Sequence, residues 1–229
     1  MSILTSVIVA NHGRDTSKLV SSLPAGVEYL EINQGLERSA QRNIGIDNAR
    51  GKYLLILDSD QNISPGLIRE CETLMWAGFS CVYIPEIIVA KSFFGKIRKF
   101  EREFYTGTAI DVPRFVDKRY CPKFNLELSG PEDADWGNRI RGCRAISTSP
   151  LYHHDDVSFI EYMRKKIYYT KSMRKYAELW PDDKCLNLKY RCWDVFVEDG
   201  KWRKLIAHPI LTLGIIFLLI VRGIIYAKR

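Results

Sequence analysis

The sequence predicts an α/β domain built on a mostly parallel central sheet, followed by a helical C-terminal region. In the first half of the chain, short β-branched or apolar runs alternate with segments of helical spacing, which is typical of strand–helix–strand units. One run, residues 52–57, is apolar almost throughout, as expected of a strand buried on both faces. At the far end, residues 210–227 form an apolar run interrupted only by Arg222.

Each element follows from a local pattern. Strands are predicted where β-branched and apolar residues cluster, at residues 5–10, 27–32, 52–57, 80–84 and 143–148. Helices are predicted at residues 16–23, 37–49, from 65 onward, 93–105, 131–141, 158–179 and 210–227. Thr16 is expected to cap the first helix, Gly51 to end the second and Pro65 to open the third. Residues 114–123 and 153–156 are expected to be polar, irregular connections.

The bulk composition limits the classes of protein to which the chain can belong. With 229 residues, 46% of them hydrophobic and 27% charged, the chain fits one α/β domain with an appendage and is not disordered. Its six cysteines form no Cys-x-x-Cys pair, so we expect reduced thiols and no zinc framework. We also expect no secretory signal. The formal net charge of +7 indicates an anionic partner, such as nucleic acid, an acidic membrane surface or a phosphate-bearing substrate.

Polar side chains follow two of the predicted strands at the point where each strand ends. Asp58-Ser59-Asp60 comes directly after the buried strand, and residues 11–15 follow the first strand. The carboxyl ends of parallel strands meet at one edge of a sheet, where ligands bind. Asp58 and Asp60 point the same way in an extended segment and offer the oxygen ligands that Mg²⁺ or Mn²⁺ prefers. By itself, the tripeptide is also typical of a solvated turn.

A second acidic group lies in the first turn of the predicted helix at residues 131–141. Glu132 and Asp133 follow Pro131, and Asp135 is in the same turn. Carboxylates at this position stabilise a helix through its dipole, which accounts for them without any catalytic role. A positioned carboxylate also serves as a general base. The residues alone leave both interpretations open.

Three segments together resemble the family-2 glycosyltransferases of the GT-A fold: SVIVANHGRD, SAQRNIGIDNARGKYLLILDSDQNISPGLI and GPEDADWGNRIRG. The middle segment is the specific one, because Arg42-Asn43, Gly45, Gly51 and Asp58-Ser59-Asp60 match the family's spacing. The resemblance covers residues 3–156 and implies a Rossmann-like, mostly parallel sheet flanked by helices. It also implies an inverting, metal-dependent transfer of a sugar from a nucleotide-sugar donor.

The resemblance assigns roles on the donor side. Asp60 would coordinate Mg²⁺ or Mn²⁺, and Asp58 would contact the ribose or help to hold the ion. Asn11 would line the nucleotide pocket, and Arg42 would meet the nucleotide or its phosphates. These four residues are the predicted centre of the donor site.

The resemblance also assigns the catalytic groups. Asp133 would be the general base that takes the proton from the acceptor hydroxyl, with Glu132 beside it on the acceptor side. If the acceptor is a polyprenyl phosphate, which is already an anion, Asp133 would position it instead.

Four further residues are candidates near the diphosphate. The His153-His154 pair falls where related enzymes often place a histidine, so His154 is a candidate metal ligand and His153 a candidate diphosphate contact. A hydrogen-bonded loop pair is the alternative for both. Arg114 and Arg139 are candidate contacts to the acceptor or the diphosphate; Arg139 matches a frequent arginine of the family's helix.

The sequence departs from the family pattern after the second strand. The family usually has an Asp-Asp-Gly-Ser-type turn whose acidic residue reads the base, and this chain has Glu31-Ile32-Asn33-Gln34-Gly35. Glu31 or Asn33 would take that role, which leaves the nucleotide base open. In the first loop, Arg14 would approach the diphosphate or pair with Asp15.

The C-terminal run predicts attachment to a membrane. Eighteen helical residues extend about 27 Å, close to the thickness of a hydrocarbon core. Lys201–Lys204 precede the run and Lys228-Arg229 follow it, as in interfacial anchors. A buried core helix is the alternative, and the sequence does not decide between crossing the bilayer and lying in one leaflet. The predicted division is a catalytic domain at 1–156, an interfacial region at 157–205 and an anchor at 206–229.

Two basic-aromatic stretches bear on the partner. Residues 94–100 and 162–169 interleave Lys or Arg with aromatic residues, which is typical of contact with lipid headgroups or with nucleic acid. The apolar C-terminal run favours the membrane, so we expect a lipid-linked acceptor, no nucleic acid, and a catalytic domain on the cytoplasmic side of the cell membrane. Gly214 and Gly223 leave room for packing between copies in a homo-oligomer. A nucleotidyltransferase and a catalytically silent membrane-docked homologue are the competing classes.

Overall fold

The computed structural model describes residues 3–35 and 37–227; the predicted basic pair Lys228-Arg229 lies outside them. The strands, in chain order, are β1 (Thr5–Ala10), β2 (Glu28–Ile32), β3 (Tyr53–Asp58), β4 (Gln61–Ile63), β5 (Cys81–Tyr83), β6 (Glu86–Ile88), β7 (Phe115–Asp117), β8 (Arg144–Ile146) and β9 (Leu151–His153). The α-helices are α1 (Ser17–Ser22), α2 (Arg38–Asn48), α3 (Leu67–Trp76), α4 (Phe93–Arg102), α5 (Glu132–Arg139), α6 (Phe159–Tyr169), α7 (Met173–Leu179), α8 (Val195–Val197), α9 (Trp202–Ala207) and α10 (Pro209–Ala227).

The central sheet has six strands within the described residues, in the order β2-β1-β3-β7-β5-β8. β1 is parallel to β2 and β3, and β5 is parallel to β8. β7 lies between β3 and β5 and is antiparallel to both. The predicted α/β fold with a mostly parallel sheet is confirmed. Residues 114–123 were expected to be irregular, but they supply the central strand β7. The sequence did not indicate this strand because three residues are too few to show a period.

A second, smaller sheet lies beside the first and has the order β4-β9-β6. β9 is antiparallel to β4 and parallel to β6, and His153 at its end lies opposite Gln61 and Ile88. His153 was expected in a loop, but here it ends a strand directly beside the segment that carries Asp60. The small sheet thus brings His153 back to the acidic turn.

β3 is the centre of the core. Residues 53–57 are at most 2% exposed. On one face, alternate β3 residues pack with Val7 and Val9 of β1, and on the other face with Ile8 and Trp136. The burial on both faces that the apolar run predicted is therefore confirmed, and it holds Asp58 at a fixed sheet edge.

Two predicted helix ends differ from the structure. α2 ends with Ala49 as its C-cap, and Gly51 has no left-handed φ. A Cβ on Gly51 would lie 2.6 Å from the backbone nitrogen of Ser6, so glycine is needed there for the close approach to β1. Thr16 occupies the N-cap position of α1, as predicted, but its hydroxyl donates to Glu31 and makes no capping hydrogen bond.

The helix predicted at residues 158–179 is divided into α6 and α7 by a 3₁₀ turn, Thr170–Ser172. The hydroxyl of Ser172 accepts from the N–H of Ser129 at 2.7 Å and donates to the carbonyl of Ser129 at 2.9 Å. These bonds to a distant loop favour the break over a continuous helix. Pro65 likewise lies outside α3, whose N-cap is Gly66.

α10 packs along α4 and leaves its other side exposed. Ile215 and Leu218 are buried against α4, and a Cβ on Gly214 would meet the side chain of Ile97 at 2.5 Å. Gly214, predicted to leave room for another copy, is therefore used within the chain. The exposed side is an apolar stripe with helical spacing: Ile210, Leu213, Phe217, Ile220 and Ile224, which we call the α10 stripe.

Among the described residues, Pro209–Tyr226 is one helix with the length and apolar composition to cross a membrane, with a mean hydropathy of 2.2. Only 17% of it is buried, which argues against a buried core helix. Length and composition alone are weak evidence for a span, because a core helix or a signal sequence can satisfy them as well.

Candidate active site

Asp60, in the acidic turn after β3, contacts side chains from two other segments. Asp60 Oδ2 accepts from Arg14 Nη1 at 2.5 Å, and Asp60 Oδ1 lies 3.2 Å from His153 Nε2. The other ring nitrogen of His153, Nδ1, lies 2.6 Å from Glu86 Oε1. The loop after β1 and the end of β9 thus converge on Asp60. For the loop after β1, this convergence was predicted from the positions of the strand ends.

Charges at this turn are tightly paired. Burial disfavours ionisation of Asp60, but the hydrogen bond and charge of His153 outweigh it and lower the pKa of Asp60. Burial also opposes protonation of His153, yet Asp60 and Glu86 raise its pKa to about 9. Arg102, His153 and Arg114 overcome burial at Glu86 and lower its pKa. At neutral pH, His153 is an imidazolium held between two carboxylates.

Asp58 is surrounded by arginines. Its Oδ1 accepts from Arg42 Nη2 at 2.8 Å and lies 4.0 Å from Arg38 Nη1, and its Oδ2 lies 3.6 Å from Arg114 Nη1. Burial would raise the pKa of Asp58, but these guanidinium groups outweigh burial and lower it. Both oxygens face protein cations, so Asp58 anchors arginines in this structure; its contact with the ribose or the ion stays a prediction.

Arg42 connects the sheet edge to α5. Its side chain is fully buried; Nη2 binds Asp58, and Nη1 donates to Asp133 Oδ1 at 2.5 Å. Burial disfavours ionisation of Asp133, but Arg42, Arg38 and Arg114 outweigh it and lower the pKa of Asp133. Asp133 is therefore ionised at neutral pH, as a general base must be.

Glu132 has surroundings of its own. Its carboxylate accepts from Arg38 Nη2 at 2.8 Å and from the backbone N–H of Gly130. Burial, together with the neighbouring charge of Asp133, raises the pKa of Glu132. Two adjacent carboxylates are thus held at different pKa values by different contacts, and Asp133 is the more acidic one.

Two cavities adjoin at α5. The first, the sheet-edge cavity, has a volume of about 410 Å³ and is lined by Arg14, Arg38, Asp60, Glu132, His153 and Lys165 among others. The second, the inner cavity, has a volume of about 330 Å³ and is lined by Asp133, Arg114, Lys166, Arg191 and Arg222 among others. Gly130 and Tyr169 line both. Glu132, predicted on the acceptor side with Asp133, instead lines the cavity of Asp60, because consecutive helical residues point in different directions.

The predicted nucleotide contacts after β1 and at the end of β2 form a hydrogen-bond network of their own. Asn11 is 1% exposed; its side chain donates to Glu31 Oε1 at 2.8 Å and accepts from the N–H of Arg14 at 2.9 Å. Hydrogen bonds, first of all from Asn11, lower the pKa of Glu31 to about 2. Asn33 is exposed, 3.4 Å from Glu31. Of these four residues, Arg14 alone lines the sheet-edge cavity, so Asn11 and Glu31 shape the loop that presents it.

Two of the candidate site residues, His154 and Arg139, point away from the site. The His154 ring lies 2.6 Å from Asn62 Oδ1, and only the backbone N–H of His154 reaches Asp60. The ring beside the Asp60 carboxylate, predicted to be that of His154, is that of His153. Arg139 donates to Asp135 at 2.6 Å and to the carbonyl of Lys123, away from both cavities. It binds within its own helix because Asp135 is one turn earlier. Arg114 does lie at the site.

A protein-family model described as glycosyl transferase family 2 matches residues 4–154, which include Asp58, Asp60 and Asp133. The chain belongs to this family. It is a glycosyltransferase, as the sequence resemblance predicted. No curated protein sequence matches the chain.

Several solved structures are similar to this family 2 glycosyltransferase. S. aureus TarS has a TM-score of 0.50 at 14% identity, covering 74% of this chain and 39% of that one. S. aureus TarS 1-349 in complex with UDP-GlcNAc has 0.49 at 15% identity, covering 73% and 65%. A197 from STIV has 0.48 at 17% identity, covering 67% and 86%. The chain thus spans less than two thirds of the length of either TarS chain. At 14% identity, the likeness to the longer TarS chain supports the fold and nothing further.

The site residues of this glycosyltransferase are compatible with a divalent ion whose coordination shell is completed by the substrate. Within residues 3–35 and 37–227, no three His, Cys, Asp or Glu side chains form a group that could hold a metal. Mg²⁺, however, usually takes one or two protein carboxylates and completes its shell with phosphate and water. Asp60 is 22% exposed on the wall of the sheet-edge cavity, and its protein partner Arg14 is 64% exposed. Asp60 with His153 is therefore the donor set that fits.

Sequence reasoning missed several residues of the family 2 site. Arg38 lies one helical turn before Arg42, shares Asp58 with it and binds Glu132, and the i, i+4 spacing could have indicated this shared face. Lys165 and Tyr168 on α6 line the sheet-edge cavity, although their stretch was expected at a membrane surface. Glu86 follows the fourth predicted strand, where the sequence carried no sign of its contact with His153.

Proposed function

We propose that this family 2 glycosyltransferase transfers a sugar from a nucleotide-sugar donor to a membrane-borne acceptor, with inversion at the anomeric carbon. The acceptor is a polyprenyl phosphate or a polyprenyl-linked saccharide, in glycan or glycolipid assembly. One observation carries the proposal: Asp60 and Asp133 line two cavities that adjoin at Gly130 and Tyr169. A donor in one cavity and an acceptor in the other would meet at α5.

The sheet-edge cavity suits a nucleoside diphosphate. Arg14, Arg38 and Lys165 supply positive charge along its wall, and arginine binds phosphate through paired hydrogen bonds. Asp60 and His153 would hold Mg²⁺ or Mn²⁺, which would neutralise the departing diphosphate without proton transfer. His153 would have to lose its proton to ligate the ion, and Arg14 would leave Asp60 for a phosphate oxygen.

Asp133 faces the acceptor side as an ionised carboxylate. With a hydroxyl acceptor it would take the proton as the new glycosidic bond forms. A single base on the side opposite the leaving diphosphate implies inversion. Arg42 holds Asp133 at 2.5 Å and weakens it as a base, so this ion pair must lengthen during transfer. With a phosphate acceptor no proton is removed, and Asp133 would only orient the nucleophile.

Attachment to the cell membrane, with the catalytic domain on the cytoplasmic side, rests on α10. The α10 stripe is exposed, while the opposite face carries Arg222, bound to Glu101 of α4. α4 also carries Lys96 and Lys99, which are exposed and could not enter a hydrocarbon core together with α10. We therefore propose that α10 lies in one leaflet, with its stripe toward the acyl chains.

Product analysis tests the function. The purified chain in lipid vesicles receives polyprenyl-linked acceptors and a panel of nucleotide sugars with Mn²⁺ or Mg²⁺. We expect release of a nucleoside diphosphate and a glycosylated lipid of inverted anomeric configuration by NMR. Release of pyrophosphate would identify a nucleotidyltransferase, and an absence of turnover with every donor would indicate a silent homologue.

A further inference from the structure

The inner cavity continues into an apolar cleft. The cleft, with a volume of about 470 Å³, lies between α10 and residues 184–192. Leu186, Leu188, Leu219 and Met173 contribute apolar side chains to its walls. It shares Tyr105, Met173, Cys185, Arg191, Arg222 and Tyr226 with the inner cavity. A polar chamber beside Asp133 is therefore joined to an apolar one beside the proposed membrane helix.

Most of the cations in the inner cavity are neutralised by the protein. Arg98 binds Asp155 at 2.6 Å. Arg102 binds Asp111 at 2.8 Å. Arg222 on α10 binds Glu101.

Lys166 and Arg191 differ from these arginines. Among the described residues, neither has a carboxylate within 4.0 Å; Arg191 donates to the carbonyl of Cys185 at 3.0 Å. The ammonium of Lys166 lies 5.2 Å from the ring centroid of Tyr162 and 5.7 Å from that of Tyr169. Two positive charges thus line the cavity without an acidic partner.

These charges repel one another. Burial lowers the pKa of Lys166 to about 7, and Arg222, Arg191 and Arg98 add to the effect while Glu101 opposes it. A bound anion would relieve this repulsion and hold Lys166 in its charged form. Lys166 and Arg191 together would therefore attract a negative group, which no carboxylate within 4.0 Å of either supplies among the described residues.

We propose that the inner cavity and the apolar cleft together bind a phosphate-bearing long-chain lipid, with its phosphate at Lys166 and Arg191 and its chain in the cleft. This deepens the proposed function, on which it rests, because it assigns residues to the lipid-linked acceptor. The phosphate lies on the Asp133 side of α5. The chain leaves along Leu219 and Gly223 of α10, toward the proposed bilayer.

Binding of farnesyl phosphate to the full chain in detergent tests this site, with farnesol and inorganic phosphate as comparison ligands. We expect farnesyl phosphate to bind more tightly than either, by titration calorimetry. Lys166→Gln and Arg191→Gln should each weaken it about tenfold or more, since each removes a charge-assisted contact. Lys166→Arg should restore it.

Matched variants separate the two parts of the site. Arg164→Gln removes an exposed cation from the same helix and should leave the affinity unchanged. A Cβ on Gly223 meets nothing within 4 Å, so Gly223→Leu would fill the cleft. It should weaken farnesyl phosphate without changing the affinity for inorganic phosphate. Equal melting temperatures would show that each variant is folded.

Three results would overturn the proposal. The first is binding of farnesol as tight as that of farnesyl phosphate, the second is binding of inorganic phosphate as tight as that of the lipid, and the third is wild-type affinity in the Lys166 and Arg191 variants. Binding of nucleotide sugars, measured on the same samples, reports on the sheet-edge cavity separately. A failure of the lipid site is thereby distinguished from a failure of the proposed transferase function.

Discussion

Arg42 is fully buried, and each of its terminal nitrogens binds a different carboxylate, Asp58 or Asp133. A charge in this position is tolerated because both partners are ionised. The sequence indicated that these three residues belong together through the family spacing, but not that Arg42 joins the two acidic motifs directly. That contact depends on how α2 packs over β3 and α5, which no local pattern encodes.

Removing the Arg42 charge should destabilise the fold. Arg42→Gln leaves two carboxylates facing each other without their shared cation. We expect the free energy of unfolding in urea to fall by about 3 kcal/mol. Arg50→Gln is the control: its side chain is 72% exposed beside Glu28, so a change within about 1 kcal/mol is expected. Equal effects of the two substitutions would contradict the bridging role of Arg42.

Asp133 should be needed for turnover and not for donor binding. Asp133→Asn removes the proposed base, and Asp133 does not line the sheet-edge cavity in which the donor is proposed to bind. With a hydroxyl acceptor, we expect kcat to fall about 10²–10⁴-fold. The nucleotide sugar should still raise the melting temperature. The exposed Asp156→Asn serves as control and should keep wild-type kcat. An equal loss of donor binding and turnover would argue against the separate roles.

Elements with a long pattern were predictable, and short ones were not. β1, β3 and α10 each carry an extended run of apolar residues, and the structure places them where that run predicts. β7 has three residues, and its central place comes from pairing with β3 and β5. The break between α6 and α7 comes from Ser172 binding Ser129. In both cases, a contact with a distant segment decides the local structure.

The docking of α10 on α4 should depend on Gly214. A Cβ there would lie within 3.1 Å of three atoms of Ile97, whereas one on Gly223 has open space. We expect Gly214→Ala to lower the melting temperature and to increase protease cleavage between α9 and α10. Gly223→Ala, the control, adds the same methyl group and should not lower the melting temperature. If both variants behave alike, α10 is not held by this contact.

At the scale of the whole molecule, the apolar helix α10 packs against the elements that line the candidate site. Arg222 of α10 reaches the inner cavity, and Tyr162 and Tyr169, expected to lie in a headgroup region, line it as well. The sequence separated a catalytic domain, an interfacial region and an anchor. In the described structure, α4, α6 and α10 pack together, and side chains from each line one cavity.

The α10 stripe should determine membrane binding. Leu213→Glu with Ile220→Glu places two charges on its exposed side, where the fold tolerates them. We expect co-sedimentation with anionic vesicles to fall several-fold at an unchanged melting temperature, since charge is costly in the acyl region. The control is Leu126→Glu, which changes an apolar side chain outside α10 that is 62% exposed. This variant should bind the vesicles as the wild type does. Unchanged binding of the double variant would contradict the proposed orientation.

The most direct test of the central claim is the thermal stability of the purified chain against a panel of nucleotide sugars, with and without Mn²⁺ or Mg²⁺. A ligand that binds the native state raises the melting temperature. We predict that at least one donor does so only with the metal, that Asp60→Asn abolishes the shift, and that Asp47→Asn, an exposed control, keeps it. A shift of full size in Asp60→Asn, or one that does not depend on the metal, would contradict a donor site built on Asp60.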